Sequence, residues 1–239
     1  MQLDVAPDIH TDDFIFRFLV ENPCFKSVDL AVRYYFHDGR ESARKLSSLL
    51  HETDRPGNGS NRSVLEFASG YGCVTRHMKH ELPDFRTVAC DIHRAAVDFI
   101  ESRLAAEAIP SCANPEDFRC PEQFDVVFAL SFFSHMPRRT WGAWAHALFG
   151  ALKSDGLLIF TTQGLNSAKY FGNPPIPADG FWYRADSEQK DLDVSEYGQT
   201  LVTEAFVRTE IAARLGQVVE LYRAGYWWDH QDLYVVRKT

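Results

Sequence analysis

The chain has 239 residues, with 25 Lys and Arg against 33 Asp and Glu, for a formal net charge of −8. Hydrophobic residues make up 45% and charged residues 24%, which excludes a collagen-like, disulfide-stapled or disordered chain and is enough to bury a core without a metal. The acidic balance and the lack of a dense Lys/Arg run argue against nucleic acid as a partner.

Five cysteines, Cys24, Cys73, Cys90, Cys112 and Cys120, are an odd set with no CxxC spacing. That disfavours a zinc ribbon or a redox pair. The N-terminal MQLDVAPDIH lacks the basic start and apolar run of a signal peptide. No stretch approaches the roughly 20 apolar residues of a membrane span. The expectation is a reduced, cytoplasmic protein with no membrane partner.

Residues 11–51 read as helical, with breaks at ENPCF (21–25) and at His37-Asp38-Gly39. Asp54 to Asn61 reads as a loop. An alternation follows. Strands are predicted at 63–67, 87–91, 124–130 and 157–161, and helices at 74–82, 95–106 and 140–152. Trp141, Trp144, Ala145, Leu148 and Phe149 form the clearest helical stripe. Gly156 suits a left-handed stop after it. Residues 164–200 break the rhythm and read as a long excursion. A helix is predicted at 203–215 with Gly216 as its stop. Strands at 218–222 and 232–236 then form an antiparallel pair.

This order predicts an α/β, Rossmann-like doubly wound fold. The six predicted strands make a mostly parallel sheet with an antiparallel last strand. One domain spans 1–239: an N-terminal helical cap (1–55), a core (60–165), a lid-like insertion after strand five (166–200), and a C-terminal helix with the strand pair (201–239).

The stretch VLEFASGYG, Val64 to Gly72, carries the chemistry. A strand runs into Ala68, Ser69, Gly70 and Gly72, whose small side chains let backbone approach a ligand closely. A helix N-terminus follows. Asp91 ends the next strand about 20 residues on, where a carboxylate can accept ribose hydroxyls. A dinucleotide fingerprint would need a third glycine at Thr75. A nicotinamide oxidoreductase is therefore disfavoured, and no GK[ST] phosphate loop occurs.

EFASGYG resembles motif I of the class I S-adenosylmethionine (SAM) dependent methyltransferases, and Asp91 resembles the acid of motif II. NPEDF (114–118), FDVVFALSFFSHMP and LKSDGLLIF are similar to the adenine-side, strand-four and pre-strand-five motifs. The resemblance implies a seven-stranded, mostly parallel sheet with an antiparallel last strand, SAM as cofactor and a role for each matched residue. Glu66 would orient the turn and the methionine amino group. Ala68, Ser69, Gly70 and Gly72 would set backbone against methionine and ribose. Asp91 would bind the ribose diol and Ile92 would pack on adenine. Asn114 and Pro115 would face the adenine edge, and Leu130 and Ser131 would lie beside the sulfonium. Ala68 and Asn114 depart from the family's glycine and acid.

Methyl transfer to a hydroxyl needs a group to take its proton. His135, just past the strand-four edge, is the candidate; His77 and His80 read as surface residues. Tyr35, Trp182, Tyr183 and Tyr197 are candidate substrate contacts. Asp186, Glu188, Asp191 and Asp193 read as a solvated acidic surface and not as a metal site. The expected function is SAM-dependent methyl transfer to a small-molecule acceptor, sugar-like or another metabolite, at a hydroxyl in preference to nitrogen. The alternative is a SAM-binding scaffold subunit without turnover. The sheet edge or the aromatic excursion is compatible with a homodimer.

Overall fold

The computed structural model describes residues 5–53, 62–187 and 189–239. The expected 54–61 loop and Glu188 lie outside the described residues. The strands order as β3-β2-β1-β4-β5-β9-β8 in a seven-stranded sheet. The chain divides into two compact units, Met1–Ser111 and Cys112–Thr239.

The first unit opens with α1 (Phe14–Glu21), whose N-cap Asp13 accepts a hydrogen bond from the Phe16 N–H. Such a cap satisfies a backbone donor that the first turn leaves unpaired. The predicted break at 21–25 separates α1 from α2 (Val28–Thr53). The predicted break at His37-Asp38-Gly39 does not occur, and α2 runs straight through it. Tyr35, Gly39, Ala43 and Leu46 all fall on one buried stripe of this helix, so burial overrides the turn chemistry of Asp-Gly.

Gly39 sits there because nothing larger fits: a Cβ would collide with the Cys73 carbonyl oxygen. Gly39→Ala is expected to destabilise the protein by about 2 kcal/mol or more, although alanine is the better helix former by about 1 kcal/mol. Urea denaturation checks this, and a stabilised variant would mean that α2 moves away easily.

Strand β1 (Arg62–Phe67) pairs in parallel with β2 (Phe85–Asp91). Helix α3 (Thr75–Glu81) lies between them in sequence. Helix α4 (Arg94–Arg103) ends earlier than predicted. Its expected last residues give way to Ala105, with φ of 50°, and to β3 (Glu107–Pro110), parallel to β2. Sequence periodicity misses β3 because it has four residues, and Glu107, Ala108 and Pro110 are all poor strand formers.

In the second unit, β4 (Phe124–Ala129) pairs in parallel with β5 (Leu152–Gln163). Between them α5 (Arg138–Gly150) buries Trp141, Trp144, Ala145, Leu148 and Phe149 as predicted. The left-handed residue of the following turn is Asp155, with φ of 63°, and not Gly156. A Cβ on Gly156 would lie 2.9 Å from the Lys153 carbonyl oxygen, so that glycine serves close approach.

The excursion holds a 3-10 segment (Leu165–Phe171) and a two-stranded antiparallel sheet, β6 (Phe181–Arg184) with β7 (Gln199–Val202). Thr200, Leu201 and Val202 are fully buried, so its returning arm is part of the core. Helix α6 (Glu204–Leu215) is capped by Thr203 and ends at left-handed Gly216 as predicted. Strand β9 (Gln231–Arg237) is antiparallel to both β5 and β8 (Val219–Trp227). Among the described residues no helix is long and apolar enough to cross a membrane.

Candidate functional site

In the first unit the chain leaves β1 through a turn of left-handed residues: Ala68 (φ 59°), Gly70 (φ 55°) and Gly72 (φ 79°). Glycine takes this conformation without strain, whereas alanine accepts it at about 1–2 kcal/mol. The turn is held by Ser69 N–H donating to the Cys90 carbonyl (3.1 Å) and Gly72 N–H to the Ser69 carbonyl (3.2 Å). A Cβ on Gly72 would stand 2.5 Å from Leu104, so Gly72 serves packing. One on Gly70 would meet only Ile15, at 3.9 Å. The Gly70 backbone is thus the part of the turn with space in front of it.

Glu66 and Asp91 are buried, at 3% and 5% exposure; neither is a solvated loop acid. Asp91 Oδ2 accepts from the Gly70 N–H (2.7 Å), and Oδ1 accepts from the His93 N–H and lies beside His93 Nδ1, both at 2.9 Å. A carboxylate has about four acceptor positions, so Oδ2 keeps one for another donor. Ile92 is 39% exposed, an apolar surface directly beside that carboxylate. Glu66 Oε2 accepts from Thr75 Oγ1 at 2.5 Å. Burial raises its carboxyl from the ordinary 4.5 to about 8; the Thr75 hydrogen bond opposes this and the Asp91 charge adds to it. Thr75 is where a dinucleotide-binding turn would need glycine, and its side chain is committed to Glu66.

Two of the residues read from the sequence are placed differently. Tyr35 is fully buried, with its hydroxyl donating to Asp13 Oδ2 (2.6 Å) and accepting from Arg76 (3.2 Å). It is a core residue and not a substrate contact. His77, expected at the surface, is buried, and burial with the adjacent Arg76 charge lowers its pKa to about 4.

Arg76 itself gave no sequence signal. It donates to the carbonyls of Ala6 and Asp8 (3.1 and 2.7 Å) and to those of Tyr71 and Gly72 (3.4 and 2.9 Å). One buried guanidinium, with its five donors, therefore ties the N-terminal segment to the glycine turn. His10 adds a stacked contact on Tyr71, 4.6 Å between ring centres.

In the second unit Pro115 is buried and Asn114 exposed. Asn114 Nδ2 donates to Asp117 (3.1 Å), which leaves its oxygen as the outward end. Leu130 is half-buried, and Ser131 adopts a left-handed φ of 60°, uncommon for a residue with a side chain. Its N–H donates to Thr161 Oγ1 (2.8 Å).

His135 is 7% exposed, and its Nδ1 lies 2.8 Å from the Gly198 carbonyl oxygen. A carbonyl only accepts, so Nδ1 carries a proton, and in the neutral form of His135 the basic nitrogen is Nε2. The Gly198 N–H returns a bond to the His135 carbonyl (2.9 Å), and the Tyr197 ring stacks on the imidazole, 4.3 Å between centres and 8° from parallel. The excursion therefore grips this histidine.

Trp182 and Tyr183 are half-buried; Trp182 packs on Phe171 (5.8 Å), and the Tyr183 hydroxyl donates to the Val194 carbonyl (2.6 Å). Both stabilise the excursion from within. Asp186, Asp191 and Asp193 are exposed. Among the described residues no group of His, Cys, Asp and Glu could hold a metal ion.

Residues 65–158 match a family model described as a methyltransferase domain. Malonyl-[acyl-carrier protein] O-methyltransferase of Acetivibrio thermocellus is 25% identical over 122 residues, 51% of this chain and 42% of that protein. The chain thus aligns with less than half the length of that curated relative. Among solved structures, magnesium protoporphyrin IX methyltransferase from Synechocystis PCC 6803 with bound S-adenosylhomocysteine (SAH) has a TM-score of 0.60 at 12% identity. That match covers 94% of this chain and 93% of the other. SAM-bound CalS10, an amino pentose methyltransferase from Micromonospora echinaspora, has a TM-score of 0.59 at 16% identity, covering 92% and 99%. The order of the motifs, the strand order and the match of residues 65–158 to a methyltransferase-domain model agree with one another, and the chain shares its fold with these methyltransferase structures.

Proposed function

We propose that this chain binds SAM and transfers its methyl group to a hydroxyl of a small, sugar-like molecule. The observation that carries the reading is His135, a buried histidine whose Nδ1–H is committed to the Gly198 carbonyl and whose basic nitrogen is Nε2. Such a group suits a hydroxyl acceptor, whose proton must be removed. Structural neighbours named as an amino pentose methyltransferase and a magnesium protoporphyrin IX methyltransferase are in keeping with a small-molecule acceptor.

The residues of the first unit fit the cofactor. The Gly70 backbone has space before it, Asp91 Oδ2 keeps an acceptor position, and Ile92 offers an exposed apolar side chain next to both. When bound, SAM supplies an electrophilic methyl group on a sulfonium. Asp91 would accept the ribose hydroxyls, and Ile92 would pack on the adenine. The backbone of Ala68 to Gly72 would follow the methionine portion, and Glu66 would take the amino group. Asn114 and Pro115 would meet the adenine edge, Leu130 and Ser131 would border the sulfonium, and His135 would take the hydroxyl proton of the acceptor.

Calorimetry with SAH tests the reading. Micromolar binding is expected, and Asp91→Ala is expected to weaken it about 100-fold, since two charge-assisted hydrogen bonds are lost. Asp91→Asn, which still accepts from the Gly70 N–H, separates loss of the ribose contact from collapse of the turn. No SAH binding by the folded protein would overturn the reading, and SAH binding without methyl transfer to any acceptor would favour the scaffold alternative.

A further inference from the structure

At the carboxyl ends of β4 and β5, where ligands sit on open α/β sheets, the second unit carries an array of uncharged polar side chains. Thr161, Gln163 and Gln231 point to one face of the β5–β9 pair, since alternate residues share a face and Gln163 is registered with Gln231. All three are buried. The direction of each hydrogen bond can be deduced in turn.

The Ser131 N–H donates to Thr161 Oγ1 (2.8 Å), so the Thr161 proton goes to Gln231 Oε1 (2.7 Å). Gln231 Nε2 then donates to Ser131 Oγ (2.8 Å), and Ser131 is left with its own hydroxyl proton to give. Gln163 Nε2 lies 3.2 Å from the Ser134 carbonyl oxygen, which only accepts, and it donates as well to Gln199 Oε1 (3.1 Å). Both amide protons of Gln163 are thereby used, and its Oε1 remains as an acceptor.

Ser134 precedes His135, and Gln199 follows Gly198, the partner of His135 Nδ1. Gln163 therefore bridges the rung next to the one that holds the imidazole. The Ser134 hydroxyl, fully buried within this rung, has no hydrogen-bond partner among the described residues. Buried polar groups are seldom left so without a ligand or water to meet them. Asp232, the nearest acid along β9, lies on the opposite face and is engaged by the Gly225 N–H and the Tyr222 hydroxyl.

We infer that Gln163 and Ser131 form the subsite for the methyl acceptor and select a neutral hydroxyl over an amine or a carboxylate. Gln163 Oε1 accepts the proton of a neighbouring acceptor hydroxyl, and the Ser131 hydroxyl donates to an acceptor oxygen. Among the described residues named in this array none is a fixed anion to attract an ammonium group or a fixed cation to attract a carboxylate, and a charge brought into it would lose hydration without gaining a partner there. This inference rests on the methyltransferase reading and narrows it.

The test uses ring compounds that differ only in bearing a hydroxyl, an amine or a carboxylic acid, with SAH affinity measured on each protein. The hydroxyl compound is expected to exceed the others at least tenfold in kcat/KM. Gln163→Leu is expected to raise its KM about tenfold with SAH affinity unchanged. Gln163→Glu, which places a carboxylate in the array, is expected to shift preference toward the amine. Should Gln163→Leu fail to fold, Ser131→Ala removes the donor and is expected to raise the same KM. Preference of the parent for the amine or the acid, no methylation of any hydroxyl compound, or an unchanged KM in these variants would overturn the inference while SAH binding leaves the methyltransferase reading intact. Absence of SAH binding would remove both.

Discussion

Replacing His135 by alanine is expected to lower kcat for a hydroxyl acceptor by about 10²–10⁴-fold, the usual contribution of a positioned proton acceptor, while SAH affinity stays within about twofold. The expectation follows from the tautomer, since the Gly198 carbonyl commits Nδ1 as a donor and makes Nε2 the basic nitrogen. His135→Asn is the sharper variant. Its amide nitrogen can stand where Nδ1 stands and keep the bond to Gly198, so the excursion stays anchored while the base is gone. If the asparagine enzyme turns over like the parent, His135 holds the excursion in place and does no proton transfer. If both variants lose turnover with SAH affinity unchanged, the role stands. Loss of SAH binding in either would make the histidine a structural residue.

Glu66 is expected to make the stability of the free protein fall as pH rises. Its carboxyl is ordinary in the unfolded chain, near 4.5, and is raised by burial to about 8 in the folded one. Between those values the folded state holds a proton that the unfolded state has released. Stability is then lost across that window, on the order of 4 kcal/mol in full. Asp13, also raised by burial, adds to the slope at its lower end, so the informative comparison is parent against Glu66→Gln. Glutamine accepts the Thr75 hydroxyl as glutamate does. The variant is expected to unfold at higher temperature than the parent at pH 8 and at a similar temperature at pH 4.5.

The same residue links protons to the cofactor. An amino group brought beside Glu66 favours its ionised form, so SAH binding near pH 7 is expected to release a proton and to show an enthalpy that changes with the buffer's ionisation heat. Glu66→Gln is expected to abolish that dependence. A parent protein with no such dependence would place the amino group elsewhere.

The turn and the acid that we propose hold the cofactor were legible because their signals are local. Small residues at 68–72 and an acid at the end of the following strand are features of short stretches, and their backbone geometry is dictated within those stretches by φ and strand pairing. Ala68 shows the limit of residue-type reasoning: the position keeps the left-handed conformation although its glycine is gone. Tyr35 and His77 were misread for a different reason. An aromatic or a histidine on an amphipathic helix looks the same in sequence whether its face meets solvent or another element; Tyr35 meets the buried Arg76, and His77 packs against Phe36 of α2. Gly39 was misread because an Asp-Gly pair is good turn chemistry, and only the Cys73 carbonyl against it reveals a close helix contact.

By itself the sequence determined the periodicities, and with them the alternation of strands and helices, the antiparallel ending and the order of the motifs. These depend on residues within a few turns of one another, where hydrophobic period and capping act directly. Tertiary structure alone decided which polar groups meet. Ser131 joins Gln231 from 100 positions away, and His135 joins Gly198 from 63. No local pattern encodes such pairs, because a hydrogen-bond donor finds its acceptor only after the chain has brought the two strands and the excursion together. The tautomer of His135 and the proposed acceptor subsite therefore come from the fold, whereas the family resemblance came from the order of residues along the chain.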